Sequence, residues 1–271
     1  MLYLIGLGLG EPEDITVKGL NIVKSAHKVY LEAYTSILSC GKEGLEKFYG
    51  REVIVSHRED VGQKCDSFLE EAKEHDIAFL VVGDPFGATT HSDLVLRAME
   101  MKVPYKVVHN ASIMNAVGCC GLQLYHFGET VSIVFWNESW KPQSFLDKIK
   151  ENLRMGLHTL CLLDIKVKEQ TVENMMKGTN IFEPPRYQTV SQAASQLLEI
   201  VEERESENKE CLLKASTMCV GLGRVGCDDQ VIRSAPLSEM VHCDLGRPLH
   251  SMIVCGDMHD LEMDFLKQFS A

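Results

Sequence analysis

The stretch "FLVVGDPFGATTH", from Phe79 to His91, joins an apolar run to a loop that contains two glycines. The run Phe79–Val82 has the length and composition of a buried strand, and it stops at Gly83 and Asp84. An Asp–Pro turn cap would explain the acidic residue alone. In open α/β sheets, however, ligands bind outside the carboxyl ends of the strands. The stretch therefore also predicts a ligand-binding loop at the end of a strand.

Segments of strand type and helix type alternate on both sides of this loop. The runs Leu2–Ile5 and Tyr105–Val108 are apolar and of strand length, whereas Val17–Ala26 and Ser92–Met101 carry apolar residues at helical spacing. Asp14 offers an N-cap for the first of these helices. The alternation predicts a mostly parallel sheet with helices on both faces.

The pattern changes after about Gly128. Strands are expected at 216–220 and 230–234 with no helix between them, and a third follows at 250–254. Successive strands without an intervening helix predict antiparallel pairing, and hence a mixed sheet. We therefore expect an α/β protein of two domains, residues 1–122 and 129–271, with a ligand cleft between them.

Glycine-rich loops follow several of the predicted strands. The first, Gly6–Gly10, lacks the third glycine of a GxGxxG dinucleotide fingerprint, because Glu11 stands in its place. The second, Gly221–Gly226, matches GxGxxG literally, but no helix follows it that could direct an N-terminus at phosphate. Together with Gly83–Gly87 and the turn Asn110–Ile113, these strand ends indicate one cleft for a ligand other than a dinucleotide.

Net charge, the N-terminal run and the cysteines limit the partners and the location that can be expected for this protein. The formal net charge is −12, and no long cluster of Lys and Arg occurs, which disfavours a nucleic-acid partner. The apolar run at the N-terminus has no basic flank and is too short for a signal peptide or a membrane span, so we expect a cytoplasmic protein with no membrane contact. The ten cysteines form no CxxC pair and lie mostly in apolar runs, which predicts reduced, buried thiols and no metal site.

Seven blocks distributed along the chain carry a family resemblance. They are YLIGLGLG, VVGDPFGATTH, HNASIMNAVGCCGLQLYHFGETVSI, TLCLLDIKVKEQ, FEPPRYQTV, VGLGRVG and RPLHSMIV. These blocks resemble the diphthine synthase family of the tetrapyrrole-methylase superfamily. GDPFGATTH and NASIMNAVG are typical of that family alone, and the block KVYLEAYTS is similar to its eukaryotic members. Gly223 departs from the pattern, since the family often has alanine there.

The resemblance implies a fold, a cofactor and a substrate. It implies a homodimer of two-domain α/β chains that binds S-adenosyl-L-methionine in the interdomain cleft and releases S-adenosyl-L-homocysteine. The implied substrate is elongation factor 2 with an aminocarboxypropyl group on one histidine. Its amino group would be methylated repeatedly, and its carboxylate would be esterified as in eukaryotic members. The cofactor contacts that the resemblance implies are Leu9, Asp84, Gly87, Ser112, Ile113, Leu163, Val225 and His250.

The expected reaction needs little from protein side chains. Methyl transfer is an in-line displacement at a sulfonium, and its main requirement is an aligned nucleophile in a site that excludes water. The nucleophile is an amine or a carboxylate of the substrate, so we expect no catalytic residue. Two other functions stay open, a porphyrinogen methyltransferase of the same superfamily and a non-catalytic binding module without cofactor.

The sequence leaves two interpretations open for each of several side chains. Asp84 either contacts the cofactor or caps a turn, and His250 is either a buried strand-end histidine or a cofactor contact through its main chain. Asp164 either meets the substrate amine or ends a strand. Arg186 either reaches the acidic tail of the substrate or lies on the surface, and His91 is favoured as a helix-start residue.

Overall fold

The computed structural model describes residues 1–32, 38, 40–56, 65–89, 91–179, 181–209 and 211–270. Positions 33–36 of the block KVYLEAYTS and Thr90 of the stretch quoted above lie outside these residues. The chain forms two compact units, which are Met1–Ala116 with Gln170–Phe182, and Val117–Glu169 with Glu183–Ala271. These bounds differ from the expected 1–122 and 129–271 at the junction and at 170–182. Periodicity reports local structure and carries no information on the unit against which a short segment packs.

The first unit contains a parallel sheet of five strands. They are β1 (Leu2–Gly6), β2 (Lys28–Glu32), β3 (Ile54–Ser56), β4 (Ile77–Val81) and β5 (Tyr105–Val108), in the order β3-β2-β4-β1-β5. All residues of the central strand β4 are buried. Leu4 belongs to one apolar cluster and Ile5 to another, because successive residues of a strand point to opposite faces. The expected parallel sheet, covered on both faces, is confirmed.

The second unit contains a mixed sheet. Its strands are β6 (Val131–Ile133), β7 (Thr159–Leu163), β10 (Met218–Gly223), β11 (Val231–Pro236) and β12 (His250–Val254), in the order β11-β10-β12-β7-β6. Only β6 and β7 pair in parallel among these neighbours, and the other pairs are antiparallel. Two short strands, β8 (Ile165–Lys166) and β9 (Arg186–Tyr187), form a separate antiparallel pair. The mixed sheet expected after Gly128 is confirmed.

Helices cover both sheets. In chain order the described helices are α1 (Val17–Ser25), α2 (Gly41–Tyr49), α3 (Cys65–Ala72), α4 (Ser92–Glu100), α5 (Ile113–Ala116), α6 (Ser144–Arg154), α7 (Val172–Met176), α8 (Val190–Ser206), α9 (Leu237–Met240) and α10 (Asp260–Leu266). Within the described residues, no helix combines the length and the apolar composition needed to cross a membrane. The longest, α8, buries one face in the core of the second unit.

The N-cap expected for α1 was wrong. Thr16 caps the helix, since its hydroxyl accepts the N–H of Gly19 at 3.0 Å. The carboxylate of Asp14 instead accepts the N–H groups of Gly10 and Glu11, at 2.9 and 3.0 Å. Asp14 therefore supports the end of the first glycine loop.

Candidate functional site

Three loops meet where β1, β4 and β5 end in the first unit. They are the segments Gly6–Gly10, Gly83–Gly87 and Asn110–Ile113. The first two are joined through their backbones, because Gly8 N–H donates to the carbonyl of Gly83 at 3.2 Å and Gly83 N–H donates to that of Gly8 at 2.8 Å. The carboxyl edge of the parallel sheet thus brings together three of the predicted ligand loops.

The three loops approach one another at distances that only glycine allows. A Cβ atom at Gly6 would lie 2.6 Å from the carbonyl oxygen of Gly83 and 2.8 Å from Cβ of Asn110. A Cβ atom at Gly87 would lie 2.5 Å from Oγ of Ser112. Such contacts are far inside van der Waals separation, so the backbone itself forms the walls of this edge.

Asp84 holds the middle loop in place. Its Oδ1 accepts the N–H of Phe86 at 2.9 Å, and its Oδ2 accepts the N–H of Asn110 at 3.0 Å. The same Oδ2 lies 2.8 Å from Nδ1 of His109. Burial raises the pKa of the Asp84 carboxyl, but these hydrogen bonds outweigh burial and leave that pKa below its usual value. An ionised carboxylate therefore fastens the loop after β4 to the end of β5.

The side chain of Asn110 links the loop after β5 to the loop after β1. Its Nδ2 donates to the carbonyl of Gly6 at 3.0 Å and to that of Asp14 at 2.9 Å. Its Oδ1 accepts the N–H of Ala111 at 2.8 Å. Asn110 was predicted to lie in a turn, and no role was predicted for its side chain. Its position directly after a predicted strand, and opposite two glycine loops, was the available signal.

The other predicted residues of this unit lie on the same three loops. Leu9 follows Gly8 and is half-buried, and Ile113 begins α5 and is also half-buried. Ser112 is buried, and its N–H donates to Oδ1 of Asn115 at 2.8 Å. The edge therefore offers apolar side chains and backbone groups next to one ionised carboxylate.

The second unit carries Leu163, Val225 and His250 at the ends of its strands. Leu163 ends β7 and is half-buried, Val225 follows β10 and is half-buried, and His250 begins β12 and is buried. β7 and β12 are antiparallel neighbours, as are β12 and β10. Because antiparallel strands run in opposite directions, the end of β7 and the start of β12 lie at the same edge of this sheet.

Arg224 fixes the loop that contains Val225. Its guanidinium is buried and donates to the carbonyl of Leu245 at 2.6 Å and also to that of Arg247. Nε and Nη2 donate to the carbonyl of Asp229 at 3.2 and 3.0 Å, and Nε lies 2.8 Å from the Asp229 carboxylate. Arg224 was not among the predicted site residues, because the GxGxxG match drew attention only to the glycines of this loop.

The imidazole of His250 is engaged inside the second unit. Nε2 lies 3.1 Å from the carbonyls of both Gly246 and Arg247, and Nδ1 accepts the N–H of Val190 at 3.4 Å. Carbonyls only accept, so these contacts require the hydrogen on Nε2. Burial lowers the pKa of His250, which keeps the ring neutral. The side chain thus matches the buried strand-end interpretation.

Asp164 and Arg186 both act near Phe135. Oδ2 of Asp164 accepts the Phe135 N–H at 3.1 Å and lies 3.3 Å from Nζ of Lys166. Nε and Nη2 of Arg186 each lie 2.8 Å from the Glu169 carboxylate, and its guanidinium carbon lies 4.3 Å from the centre of the Phe135 ring. Both side chains therefore have partners within the second unit.

One cluster within the described residues has the composition of a metal site, namely His126, His158 and Glu262, whose ligand atoms all lie within 4.8 Å of one another. Nδ1 of His158 accepts the N–H of Gly256 at 3.0 Å, so its hydrogen is on Nε2, 3.3 Å from Glu262 Oε1. A metal-bound imidazole donates a hydrogen from its other nitrogen, and here that nitrogen is an acceptor. The carboxylate also accepts two backbone N–H groups. These contacts fit a buried polar network and not a metal.

The chain was compared with known proteins. The family described as Tetrapyrrole (Corrin/Porphyrin) Methylases matches residues 1–241. The human diphthine methyl ester synthase is 62% identical over 271 residues, covering 100% of this chain and 95% of that protein. The chain belongs to the diphthine methyl ester synthase family of tetrapyrrole methylases. As a member of this family it is a methyltransferase.

Other relatives of the family match over the same length. The diphthine methyl ester synthase of Dictyostelium discoideum is 55% identical, covering 99% of this chain and 98% of that protein. A crystal structure of a diphthine synthase matches with a TM-score of 0.83 at 31% identity, covering 99% of this chain and 95% of that one. A solved structure from Entamoeba histolytica matches with a TM-score of 0.86 at 47% identity, covering 100% and 98%. The fold assignment thus agrees with that of the family.

Proposed function

We propose that the chain transfers methyl groups from S-adenosyl-L-methionine to elongation factor 2, at the histidine that carries an aminocarboxypropyl group. The amino nitrogen is methylated repeatedly, and the carboxylate is esterified. The observation that carries this proposal is the 62% identity to a diphthine methyl ester synthase over the full chain, with no segment left unmatched.

The residues of the first unit fit this cofactor. S-adenosyl-L-methionine carries a sulfonium cation and no phosphate, so an ionised Asp84 and the acidic residues Glu11 and Glu13 do not repel it as they would a pyrophosphate. Gly6 and Gly87 allow the three loops to approach one another this closely, since a Cβ atom there would collide with Gly83 and with Ser112.

We assign cofactor binding to residues of both units. Leu9, Asp84, Gly87, Ser112 and Ile113 come from the first unit, and Leu163, Val225 and His250 from the second. The cofactor supplies an electrophilic methyl group when bound. The chain's contribution is to bind and orient it, with apolar Leu9 and Ile113 excluding water from the reacting atoms. Asp84 acts mainly by holding the middle loop, because both of its oxygens already accept hydrogen bonds.

The test uses elongation factor 2 from cells that lack the terminal steps of the modification. With cofactor labelled in its methyl group, we expect label on one histidine, and mass spectrometry of that residue gives the number of methyl groups. A factor with that histidine replaced is the matched control. Cofactor binding without label on the factor would overturn the substrate assignment.

The two other functions are outcomes of the same assay. Label on a porphyrinogen, and none on protein, would show a tetrapyrrole methyltransferase, which the description of the matching family allows. Calorimetry that detects no affinity for S-adenosyl-L-methionine would show a binding module without cofactor. Each outcome replaces the proposal with a different class of protein.

The assembly and location that we propose follow from the resemblance. We propose a homodimer in the cytoplasm, in contact with neither nucleic acid nor membrane. Sedimentation equilibrium should give twice the chain mass of 30.4 kDa. A mass equal to one chain at micromolar concentration would contradict the dimer.

A further inference from the structure

A histidine–carboxylate pair lies at the loop edge of the first unit. Nδ1 of His109 is 2.8 Å from Oδ2 of Asp84, and the His109 side chain is 68% exposed, whereas that of Asp84 is 14% exposed. The Phe86 ring lies beside it, with 6.2 Å between ring centres. The pair stands between two of the loops assigned to the cofactor, and neither the family comparison nor the assigned contacts give His109 a role.

The carboxylate fixes the tautomer of this histidine. Asp84 is ionised and accepts hydrogen bonds, so Nδ1 of His109 carries the hydrogen and donates it. In the neutral ring the other nitrogen, Nε2, has a lone pair, and the exposure of the side chain leaves it open to a ligand. An imidazole whose Nδ1–H is held by a buried carboxylate is the arrangement that catalytic bases use elsewhere.

Three buried histidines of the described chain differ from His109. His250 and His158 are buried, and both ring nitrogens of each take part in hydrogen bonds within the second unit. His91 is also buried, and its ring packs edge-on against Phe79 in the first unit. His109 combines an oriented ring with an exposed nitrogen.

We propose that His109 is a catalytic residue, the general base that removes a proton from the substrate ammonium before each methylation of nitrogen, with Asp84 as its positioning residue. This inference rests on the proposed function, because it needs an amine substrate. Aliphatic amines are mostly protonated at neutral pH, and a protonated amine has no lone pair with which to attack.

Proton transfer to His109 precedes the transfer of the methyl group. The Nε2 lone pair of His109 takes one proton from the ammonium, and the freed lone pair on the amine nitrogen forms a bond to the methyl carbon. The carbon–sulfur bond breaks, and its electron pair stays on sulfur. His109 then releases the proton to solvent through its exposed face. Each methylation that begins from an N–H group therefore yields one proton.

Methylation of the carboxylate needs no such base. A carboxylate is already ionised at neutral pH, and its oxygen attacks the methyl carbon without losing a proton. The two reactions share the cofactor and the protein substrate, but only the reaction at nitrogen should depend on His109. This difference separates a base from a residue that merely supports the fold or the cofactor.

The test compares the two reactions in the full chain with His109→Asn. The Asn amide can keep a hydrogen bond to Asp84, but it has no basic nitrogen. Nitrogen methylation is measured on the unmethylated elongation factor. Ester formation is measured on factor that the unaltered enzyme has methylated and from which mild alkali has removed the ester. His242→Asn, at an exposed histidine of the second unit, is the matched control.

We expect His109→Asn to slow nitrogen methylation by about 100-fold at neutral pH and to change ester formation by no more than about twofold. Added imidazole should restore the nitrogen reaction because it replaces the missing base, and higher pH should restore it because it raises the fraction of free amine. Equal slowing of both reactions, or slowing of neither, would overturn the proposal. If the unaltered enzyme transfers no methyl group to the factor, the proposed function itself fails.

Two measurements do not depend on turnover. Calorimetry with S-adenosyl-L-homocysteine should give the same affinity for His109→Asn as for the unaltered chain. NMR of the imidazole nitrogens should show His109 with its hydrogen on Nδ1, and Asp84→Asn should abolish that preference. A hydrogen found mainly on Nε2 in the unaltered chain would contradict the assigned geometry.

Discussion

The two units each fasten a glycine loop with one charged side chain, but with opposite charge. In the first unit the carboxylate of Asp84 accepts backbone N–H groups at the end of β5 and in its own loop. In the second unit the guanidinium of Arg224 donates to backbone carbonyls at Asp229 and Leu245. An anion thus orders N–H groups in one loop, and a cation orders C=O groups in the other.

Asp84 and Arg224, the anchors of the two glycine loops, also differ in the exposure of the side chains around them. The Arg224 side chain is only 6% exposed, although its ion-pair partner Asp229 is 47% exposed, and the histidine of that region, His250, is buried. Asp84 is largely buried but holds His109, whose side chain is 68% exposed. The charge of the second unit is therefore enclosed by its own loop, whereas the first unit also exposes a polar group at the surface. This contrast predicts which substitutions unfold the chain and which impair binding.

The largest effect is expected from Arg224→Met. It leaves buried carbonyls without their charged donor, so the free energy of unfolding should fall by about 3 kcal/mol. Urea unfolding of the variant and of the unaltered chain measures this. Arg247→Met is the control, since Arg247 is half-exposed in its ion pair with Asp229 and should contribute little. Equal losses from both substitutions would remove the contrast between the two anchors.

A pair of glycine substitutions compares the packing of the two loops. Gly6→Ala forces Cβ against the backbone carbonyl of Gly83 and should cost about 2 kcal/mol of unfolding free energy and weaken cofactor binding. At Gly223 a Cβ atom would lie 3.3 Å from Leu245 Cβ, which a small shift relieves, so Gly223→Ala should cost less than about 1 kcal/mol. Urea unfolding and calorimetry give both quantities. Normal cofactor affinity in Gly6→Ala would show that this edge binds no ligand.

Asp84→Ala tests whether the anchor of the first unit serves binding more than stability. Loss of the hydrogen bonds to the loop should raise the dissociation constant for S-adenosyl-L-methionine about tenfold, with cooperative unfolding retained. Calorimetry measures the affinity. Asp93→Ala, which removes an exposed carboxylate on α4, is the control. If the affinity of Asp84→Ala is unchanged, Asp84 only caps the turn.

The smallest expected effect is the pH dependence of the stability of the fold. Burial lowers the pKa of His250 in the folded chain. When the pH falls below the ordinary pKa of histidine, the unfolded chain therefore binds a proton at this residue and the folded chain does not. Stability should therefore decline from neutral pH toward about pH 5, by at most ~1.4 kcal/mol per pH unit for each such histidine.

Substitution of one histidine isolates this contribution. Urea unfolding at several pH values should give a shallower decline for His250→Gln than for the unaltered chain. His158 and His91, whose pKa values burial also lowers, keep the rest of the slope. His242→Gln, at an exposed position, should leave the slope unchanged. An unaltered slope in His250→Gln would mean that its ring is protonated in the folded chain.

The longer strands were predictable from the sequence because a long run of apolar residues gives a clear pattern. The strand 250–254 was placed to the residue, and the predicted run Phe79–Val82 overlaps β4, which ends one residue earlier at Val81. Short elements were missed. β8 and β9 have two residues each, and only their pairing with each other makes them strands. The cap of α1 was assigned to Asp14, because Asp14 and Thr16 are both good capping residues and local sequence does not rank them.

The sequence by itself determined the alternation of strands and helices, the change to a mixed sheet, and the family. These follow from hydrophobic period and from blocks of identical residues, which are properties of neighbouring positions. Tertiary structure alone decided that Asp84 meets His109 and Asn110, and that Asn110 meets Gly6, more than a hundred positions away in the sequence. It also decided that Arg224 serves stability. Hydrogen bonds between distant residues depend on strand order, and strand order leaves no local pattern in the chain.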